Sequence, residues 1–200
     1  MSALRVIVGI DPGVNGAIAV FVDGSPSIIR DMPTIQRHNG GNAVDALALH
    51  ALFRDVCSAY RGAHIHAVIE LPATRPHDAP TNILHIGEGF GILIGVMACH
   101  GITHTKVRPQ EWKGWYGLVK VKQFKPTKED SRIRACQLFP SRLLYLQRKC
   151  DHDRAEAMLM AKWAIDTECW IARPASAKKR VTKKRKPSLK IAPELPLCGT

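Results

Sequence analysis

The chain has 200 residues, of which 46% are hydrophobic and 23% are charged, so it can bury one core and is too short for two large domains. The net charge of +12 and the sequence pI of about 9.7 are unusual for an ordinary cytosolic enzyme. They indicate a polyanionic partner such as DNA, RNA or an anionic membrane.

The positive charge is concentrated at the C-terminal end. From residue 177 onward the chain has eight lysine or arginine residues and Glu194, so this segment carries +7 and the rest carries +5. A segment of Lys, Arg, Ser and Pro cannot bury a core, so we predict one domain over 1–173 and a disordered basic tail over 174–200. The tail cations expected to bind nucleic acid are Lys178, Lys179, Arg180, Lys183, Lys184, Arg185 and Lys186. A nuclear-localisation run and a merely solubilising tail are the alternatives.

Cysteine spacing and apolar runs narrow the class of protein further. The six cysteines never form a C-x-x-C pair, so we expect neither a zinc ribbon nor a disulfide framework, but reduced and mostly buried thiols.

The first apolar run is interrupted at Asp11-Pro12, which excludes a secretory signal in that run. No run approaches the roughly 18 apolar residues of a membrane helix, so we expect an intracellular protein without membrane contact.

The first elements in chain order predict an antiparallel meander. A β-branched apolar strand is expected over 6–10, followed by strands over 17–22 and 27–30. The dipeptide Asp23-Gly24 between the second and third strands is a strong hairpin signal. These three strands therefore form one antiparallel unit.

The middle of the chain alternates between helical and strand patterns. Apolar residues at helical spacing predict helices over 44–59 and 81–100, the second of them rich in glycine. Strands are expected over 66–71 and 104–107, and the proline-rich stretch 72–80 reads as a surface loop. The alternation predicts parallel strands added to the meander.

Three further helices are predicted over 108–118, 128–138 and 154–167. The complete order is β-β-β-α-β-α-β-α-α-α. It predicts an α/β fold in which a mixed five-stranded sheet, with three antiparallel strands continued by parallel strands, carries helices on both faces.

Two carboxylates follow predicted buried strands. Asp11 begins the rigid turn Asp-Pro-Gly directly after the first strand. Glu70 ends a strand of buried character, where an ionised carboxylate must be paired, solvated or bound to a metal. The alternative readings are an ordinary turn aspartate and a solvent-facing strand end.

A second acidic pair lies at the start of the last predicted helix. Asp153 and Glu156 are spaced i and i+3, so both side chains leave one face of that helix. Acidic residues in a first helical turn also interact favourably with the helix dipole, which is the alternative explanation. Four converging carboxylates would repel one another and require divalent cations, for which hard oxygen ligands favour Mg²⁺, with Mn²⁺ as a substitute.

The sequence resembles the RuvC-type Holliday junction resolvases, particularly their phage and phage-like branch. The resemblance is carried by V-G-I-D-P-G-V-N-G (8–16), A-V-I-E-L-P (67–72), V-R-P-Q-E-W-K (107–113), T-K-E-D-S-R (127–132), L-F-P (138–140) and H-D-R-A-E-A-M-L-M-A (152–161). These stretches occur in the order that the family has and cover about residues 6–168. The resemblance implies a ribonuclease H-like fold.

The resemblance also implies roles for individual residues. Asp11, Glu70, Asp153 and Glu156 fall on the family's four metal-binding acids, although the better-known cellular enzymes have Asp at the position of Glu156. Catalytic and DNA-contacting lysines of the family match Lys113 and Lys128, for which solvated helix lysines are the alternative reading.

Several neighbouring residues have open assignments. Asp151 and His152 are close enough in sequence to Asp153 either to hydrogen-bond a metal ligand or to replace Asp153 as one. Phe90 is expected in the core rather than as a wedge between bases. The aromatic residues Trp112, Trp115 and Tyr116 have the spacing either of helix packing or of base stacking.

The implied function is a homodimeric, Mg²⁺-dependent, structure-selective endonuclease that resolves Holliday junctions or other branched DNA. It would hydrolyse phosphodiesters with two metal ions and give paired nicks with 5′-phosphates. The alternatives are a related nuclease acting on RNA or on non-junction DNA, and a DNA-binding architectural protein without catalysis. An actin-like ATP-binding phosphotransferase is disfavoured because it needs a second lobe. The expected compartment is the cytoplasm of a bacterium or phage-infected cell, with the nucleus as the alternative in a eukaryote.

Overall fold

A computed structural model describes residues 4–74, 76–121 and 125–169. The tail predicted over 174–200, including its seven candidate nucleic-acid-binding cations, lies outside the described residues, as do positions 122–124. The boundary at residue 173 and the role of the tail therefore stay predictions.

The described residues form strands β1 to β7, helices α1 to α5 and two short 3₁₀ turns. The strands are β1 Arg5–Asp11, β2 Ala17–Val22, β3 Ser25–Asp31, β4 Thr34–Gln36, β5 Asn42–Val44, β6 His64–Glu70 and β7 Thr103–Val107. The helices are α1 Ala46–Ala59, α2 Pro80–Cys99, α3 Pro109–Trp115, α4 Lys128–Leu138 and α5 His152–Thr167. The 3₁₀ turns are Pro140–Tyr145 and Lys149–Asp151, between α4 and α5.

The main sheet has five strands in the order β3-β2-β1-β6-β7. The pairs β1·β2 and β2·β3 are antiparallel, whereas β1·β6 and β6·β7 are parallel. Asp23 and Gly24 both have positive φ, as the hairpin turn requires. The predicted mixed five-stranded sheet is confirmed.

Residues of β1 alternate between two buried layers. Val6, Val8 and Ile10 belong to the layer beneath α1 and α2, and Ile7 belongs to the layer that contains α5. Such alternation is expected for a strand covered on both faces. The predicted helices on both faces are therefore confirmed.

Gly9 allows α5 to pack directly on the centre of the sheet. A Cβ atom at this position would lie 2.0 Å from the carbonyl oxygen of Ala157 and 2.8 Å from the amide nitrogen of Ala161. Alanines and a glycine remove the side-chain volume that normally separates a helix from a strand. This close approach brings the start of α5 to the end of β1.

The hairpin β4–β5 is absent from the sequence prediction, and it changes the start of α1. Its two strands have three residues each and form a separate sheet, too short for a visible alternation. Val44, predicted as helical, ends β5. Asp45 then caps α1, because its carboxylate accepts hydrogen bonds from the amides of Leu47 and Ala48.

Helix α2 corrects the expectation about membrane-length segments. By length and composition alone this 20-residue helix could cross a membrane. It packs on the sheet layer through Leu93 and Met97, which are fully buried, while most of its surface is exposed. A single helix of this kind is weak evidence for a membrane location, and its exposed apolar face requires another explanation.

The described cysteines are free thiols, as predicted, but they are less buried than expected. Among the described residues Cys57, Cys99, Cys136, Cys150 and Cys169 are free. The expectation that they are mostly buried is wrong, because two of them are exposed and three are half-buried.

Candidate metal centre

Asp11 and Glu70 end two adjacent parallel strands. The register pairs Ile10 of β1 with Ile69 of β6, so the two carboxylates occupy the next positions along the strands. Asp11 shares its face of β1 with Ile7, and that face is covered by α5. The two strand ends therefore present their carboxylates side by side beneath α5.

Helix α5 supplies the other two acids from above the sheet. It begins at His152, two residues before the predicted start, so Asp153 and Glu156 both lie in its first turns. The residue Glu156 is 5% exposed, and the side chain of Asp153 is 14% exposed. The contact of α5 with Gly9 fixes both acids over the end of β1.

The charges of these acids act on one another. Burial raises the pKa of Asp11 well above its ordinary value of 3.8, and the carboxylates of Glu156, Glu70 and Asp153 raise it further in that order, while Lys128 lowers it. An ionised Asp11 is thus unfavourable when no cation is present.

Opposing effects act on the pKa of Glu70. Burial raises its pKa above the ordinary value and outweighs the hydrogen bond from Trp112 and the charge of Lys113, which both lower it. The indole Nε1 of Trp112 donates to Oε2 of Glu70 at 2.8 Å. Glu70 is therefore held in one orientation at a site that disfavours its charge.

Glu156 is held by two helices at one oxygen. Its Oε1 lies 2.9 Å from Nζ of Lys113 in α3 and accepts a hydrogen bond of 2.9 Å from Oγ of Ser131 in α4. A nearly buried carboxylate thus has both a cation and a neutral donor, as its burial requires.

Asp153 is paired with the first residue of α4. Nζ of Lys128 lies 3.2 Å from Oδ1 of Asp153 and 2.9 Å from Nε2 of His152. Nδ1 of His152 is 2.8 Å from the carbonyl oxygen of Lys149. Nε2 of His152 also lies 3.1 Å from Oδ1 of Asp153, so His152 contacts Asp153 directly as well as through Lys128.

Asp151 points to a different set of partners. Its carboxylate accepts hydrogen bonds from the amide and guanidinium of Arg148, and Arg154 is 3.6 Å away. Burial raises the pKa of Asp151, but the hydrogen bonds and charge of Arg148 outweigh it, so that pKa is lowered. These contacts favour a structural role in the 3₁₀ turn before α5 over a role as a metal ligand.

The four acids fit a divalent cation by chemistry. They offer hard carboxylate oxygens on one face of the sheet, and a cation would offset the burial and the neighbouring carboxylates that raise the pKa of Asp11. Within residues 4–74, 76–121 and 125–169, however, no three His, Cys, Asp or Glu side chains form a ready-made set of ligands. The described orientations of Asp153 and Glu156 are those of ion pairs with Lys128 and Lys113.

Two concave surfaces adjoin the acids. A pocket of about 620 Å³ contains Asp153 and Lys128 together with Asn15 and Arg148. A second pocket, of about 320 Å³, is lined by residues that follow Asp11 and Glu70 in the chain, between the β4–β5 hairpin and α2. Of the four acids, only Asp153 lines one of these two concave surfaces.

A curated protein is similar in sequence to part of this chain. The chain is 32% identical over 130 residues to the chloroplastic Holliday junction resolvase MOC1 of Chlamydomonas reinhardtii, a match that covers 63% of this chain and 14% of that protein. The chain thus spans a small part of the relative's length. No protein-family model matches the chain.

The chain is also similar to two solved structures. RuvC of T. thermophilus in complex with a Holliday junction substrate has a TM-score of 0.50 and 13% identity, covering 82% of this chain and 96% of that chain. The yeast mitochondrial Holliday junction resolvase Ydc2 has a TM-score of 0.46 and 10% identity, covering 84% and 82%. The fold assignment rests on the first of these structures.

The chain has the RuvC-type ribonuclease H-like fold. The resemblance and the fold class inferred from the sequence are thereby confirmed. The curated relative is an algal protein, so the assignment to a phage-like branch stays a prediction.

The aromatic residues considered for base stacking differ in their exposure. Trp112 is fully buried and unavailable for stacking on bases, whereas Trp115 is 57% exposed. Tyr116 is half-buried and donates to the carbonyl oxygen of Leu159. Phe90 is half-buried against the α1–α2 layer, beneath Nζ of Lys106, which favours the expected packing role.

Sequence reasoning missed the hydrogen bonds of Ser131 and Trp112 to the acids. Ser131 lies one helical turn after Lys128, and Trp112 directly precedes Lys113. The spacing of Ser131 from Lys128 was a usable signal, because residues i and i+3 share a helix face. The hydrogen bond of Trp112 had no such signal, since its partner is in a distant strand.

Proposed function

We propose that this chain is a Mg²⁺-dependent endonuclease that resolves four-way DNA junctions by paired nicks leaving 5′-phosphates. The observation that carries the proposal is the convergence of Asp11, Glu70 and the acids of α5 at one end of a RuvC-type sheet. The sequence similarity to a Holliday junction resolvase supports the substrate class. Mg²⁺ is the proposed cofactor, and Mn²⁺ is expected to substitute for it.

Asp11, Glu70, Asp153 and Glu156 would hold the metal. When bound, paired Mg²⁺ ions activate water and stabilise the leaving oxygen of a phosphodiester. The chain's own contribution is to hold four carboxylates in place and to supply cations beside them. Lys113 and Lys128 already lie at the acids, where their ammonium groups can turn to the phosphate and offset its negative charge.

The proposed DNA strand follows the pocket that contains Lys128 and Arg148. The side chains of both residues are more than half exposed, so they can contact phosphates without a change in the core. The basic tail would add sequence-independent, salt-sensitive binding. Junction selectivity must come from the paired arrangement of two sites and not from these cations.

The proposed enzyme is a homodimer, for which the exposed face of α2 is the candidate interface. Ile83 and Leu84 are 42% and 69% exposed. A Cβ atom on Gly87, Gly91 or Gly95 would meet no atom within 4 Å, so these glycines line open surface at helical spacing. Small residues permit two helices to approach closely, and a two-fold dimer matches the symmetry of a four-way junction.

Leu84→Glu is expected to weaken dimerisation by roughly 30-fold or more, as for a hot-spot residue worth about 2 kcal/mol. Sedimentation velocity across a concentration series measures the change, and the nicks on a junction should become unpaired. The control is Leu47→Glu on α1, where the side chain is 81% exposed and outside the candidate interface. Equal dimerisation of both variants, or a monomeric wild type, would contradict the assignment of α2.

A panel of labelled substrates tests the proposed function. It contains a four-way junction, a linear duplex, a three-way branch and an RNA–DNA hybrid, each incubated with Mg²⁺. We expect paired symmetric nicks in the junction and slow or no cleavage of the linear duplex. Selective cleavage of the hybrid would identify an RNA-directed nuclease, and junction binding without cleavage would identify an architectural protein.

The compartment in which the chain acts stays a prediction.

A further inference from the structure

Two buried neutral groups donate hydrogen bonds to two of the four acids. Trp112 in α3 is fully buried and donates from Nε1 to Oε2 of Glu70 at 2.8 Å. Ser131 in α4 is 3% exposed and donates from Oγ to Oε1 of Glu156 at 2.9 Å. Neither group can reach solvent or DNA from these positions, so their effect must pass through the carboxylates.

The two helices carry a repeated arrangement. Helix α3 supplies the cation Lys113 beside the neutral donor Trp112, and α4 supplies the cation Lys128 one turn before the neutral donor Ser131. Each helix thus contributes one charged and one uncharged contact to the acids. The start of α4 is itself fixed, because the carboxylate of Asp130 accepts from the amide and hydroxyl of Thr127.

Charged and uncharged contacts respond differently to a metal. A divalent cation bound by the acids would repel the ammonium groups of Lys113 and Lys128, which lie on flexible side chains. An indole N–H or a hydroxyl carries no net charge, so its hydrogen bond would be kept. Each carboxylate has about four acceptor positions, and one oxygen can stay hydrogen-bonded while the other faces the cation.

We propose that Trp112 and Ser131 are positioning residues that keep Glu70 and Glu156 aimed at the metal when the lysines withdraw. This inference rests on the proposed metal-dependent function. The rigid indole of Trp112 is enclosed by the core, so the direction of its N–H is fixed. A glutamate side chain has several rotatable bonds. A hydrogen bond from Trp112 or Ser131 restricts the carboxylate to fewer orientations, so less conformational freedom is lost when a metal binds.

Mn²⁺ binding to the full-length chain tests the proposal directly. Free Mn²⁺ is measured by electron paramagnetic resonance for wild type, Ser131→Ala, Ser131→Thr and Trp112→Phe. We expect the dissociation constant to rise about tenfold or more for Ser131→Ala and for Trp112→Phe, the usual effect of losing such an outer hydrogen bond. Ser131→Thr keeps the hydroxyl and should restore most of the affinity. Trp115→Phe on the exposed face of α3 is the matched control and should bind as wild type does.

The outcomes separate this role from the proposed function. If folded Ser131→Ala binds Mn²⁺ as tightly as wild type, the positioning role is wrong even when the variant is less stable. Should Trp112→Phe fail to fold, the comparison of Ser131→Ala with Ser131→Thr decides. A wild-type chain that binds no Mn²⁺ would overturn the metal-dependent function itself.

Discussion

Asp11→Asn is expected to abolish cleavage and at the same time to make the metal-free protein more stable. The variant removes one of four carboxylates that would hold the metal, and metal catalysis supplies several kcal/mol of charge stabilisation. Because each 1.36 kcal/mol is a factor of ten in rate, the loss should be at least about a hundredfold. Gel-based cleavage and urea denaturation in EDTA measure the two effects.

The stability gain of Asp11→Asn depends on pH with a definite sign. Burial and three neighbouring carboxylates raise the pKa of Asp11 in the folded state above its ordinary value of 3.8. The stability that protonation provides is therefore complete below 3.8 and is lost as pH rises through the raised pKa. The advantage of the asparagine variant over wild type should thus grow from acidic to neutral pH.

Added Mg²⁺ should reverse the order of stability. A ligand that binds the folded state stabilises it by about 2.7 kcal/mol at a concentration 100 times its dissociation constant. Wild type should show this rise, and Asp11→Asn should show little of it. The control Asp55→Asn, exposed on α1, should alter stability by no more than about 0.5 kcal/mol. An Asp11→Asn variant that is less stable than wild type in EDTA would contradict the proposed crowding of charge.

Gly9→Ala is expected to cause the largest loss of stability. Its Cβ would lie 2.0 Å from the carbonyl oxygen of Ala157, and backbone cannot move aside as the end of a flexible side chain can. The cost should be about 3 kcal/mol or more, at the upper end for overpacked cores. For a chain of this size, that corresponds to a fall in Tm of roughly 6–12 °C.

The displacement in Gly9→Ala should also reach the acids. Helix α5 carries Asp153 and Glu156, so a shift of α5 away from β1 should weaken Mn²⁺ binding. The control is Gly114→Ala in α3, where the nearest atom to a new Cβ is 4.0 Å away. Alanine is the better helix former by about 1 kcal/mol, so this control should be neutral or stabilised. Equal stability of Gly9→Ala and wild type would show that α5 does not depend on the glycine.

The sequence predicted those parts of the fold that have strong local signals. The β-branched run before Asp11, the Asp23-Gly24 turn and the helical spacing in α5 each specify an element without reference to the rest of the chain. The β4–β5 hairpin escaped prediction because its strands are too short to show a pattern. Residue spacing also gave no indication that Gly9 meets α5, since that contact joins distant segments.

In the candidate site, too, local sequence signals predicted some residues, whereas contacts between distant segments determined the others. The four acids were predicted from strand ends, the i,i+3 spacing and the resemblance, and the structure brings them to one end of the sheet. Their partners depend on how α3 and α4 pack, so Trp112 and Ser131 became visible as donors in the folded chain alone. Arg148 and Arg154 likewise draw Asp151 away from the acids, which its position beside His152 could not indicate.

Cleavage of a labelled four-way junction in Mg²⁺ by wild type and by Asp153→Asn tests the assignment of the four acids most directly. We expect wild type to cut the junction with symmetric nicks and the variant to bind the junction without cutting it. Binding should be retained because Asp153→Asn removes a negative charge from the pocket proposed to hold DNA and leaves its cations in place. Cleavage by the variant at the wild-type rate, or the absence of any Mg²⁺-dependent cutting by wild type, would contradict the assignment.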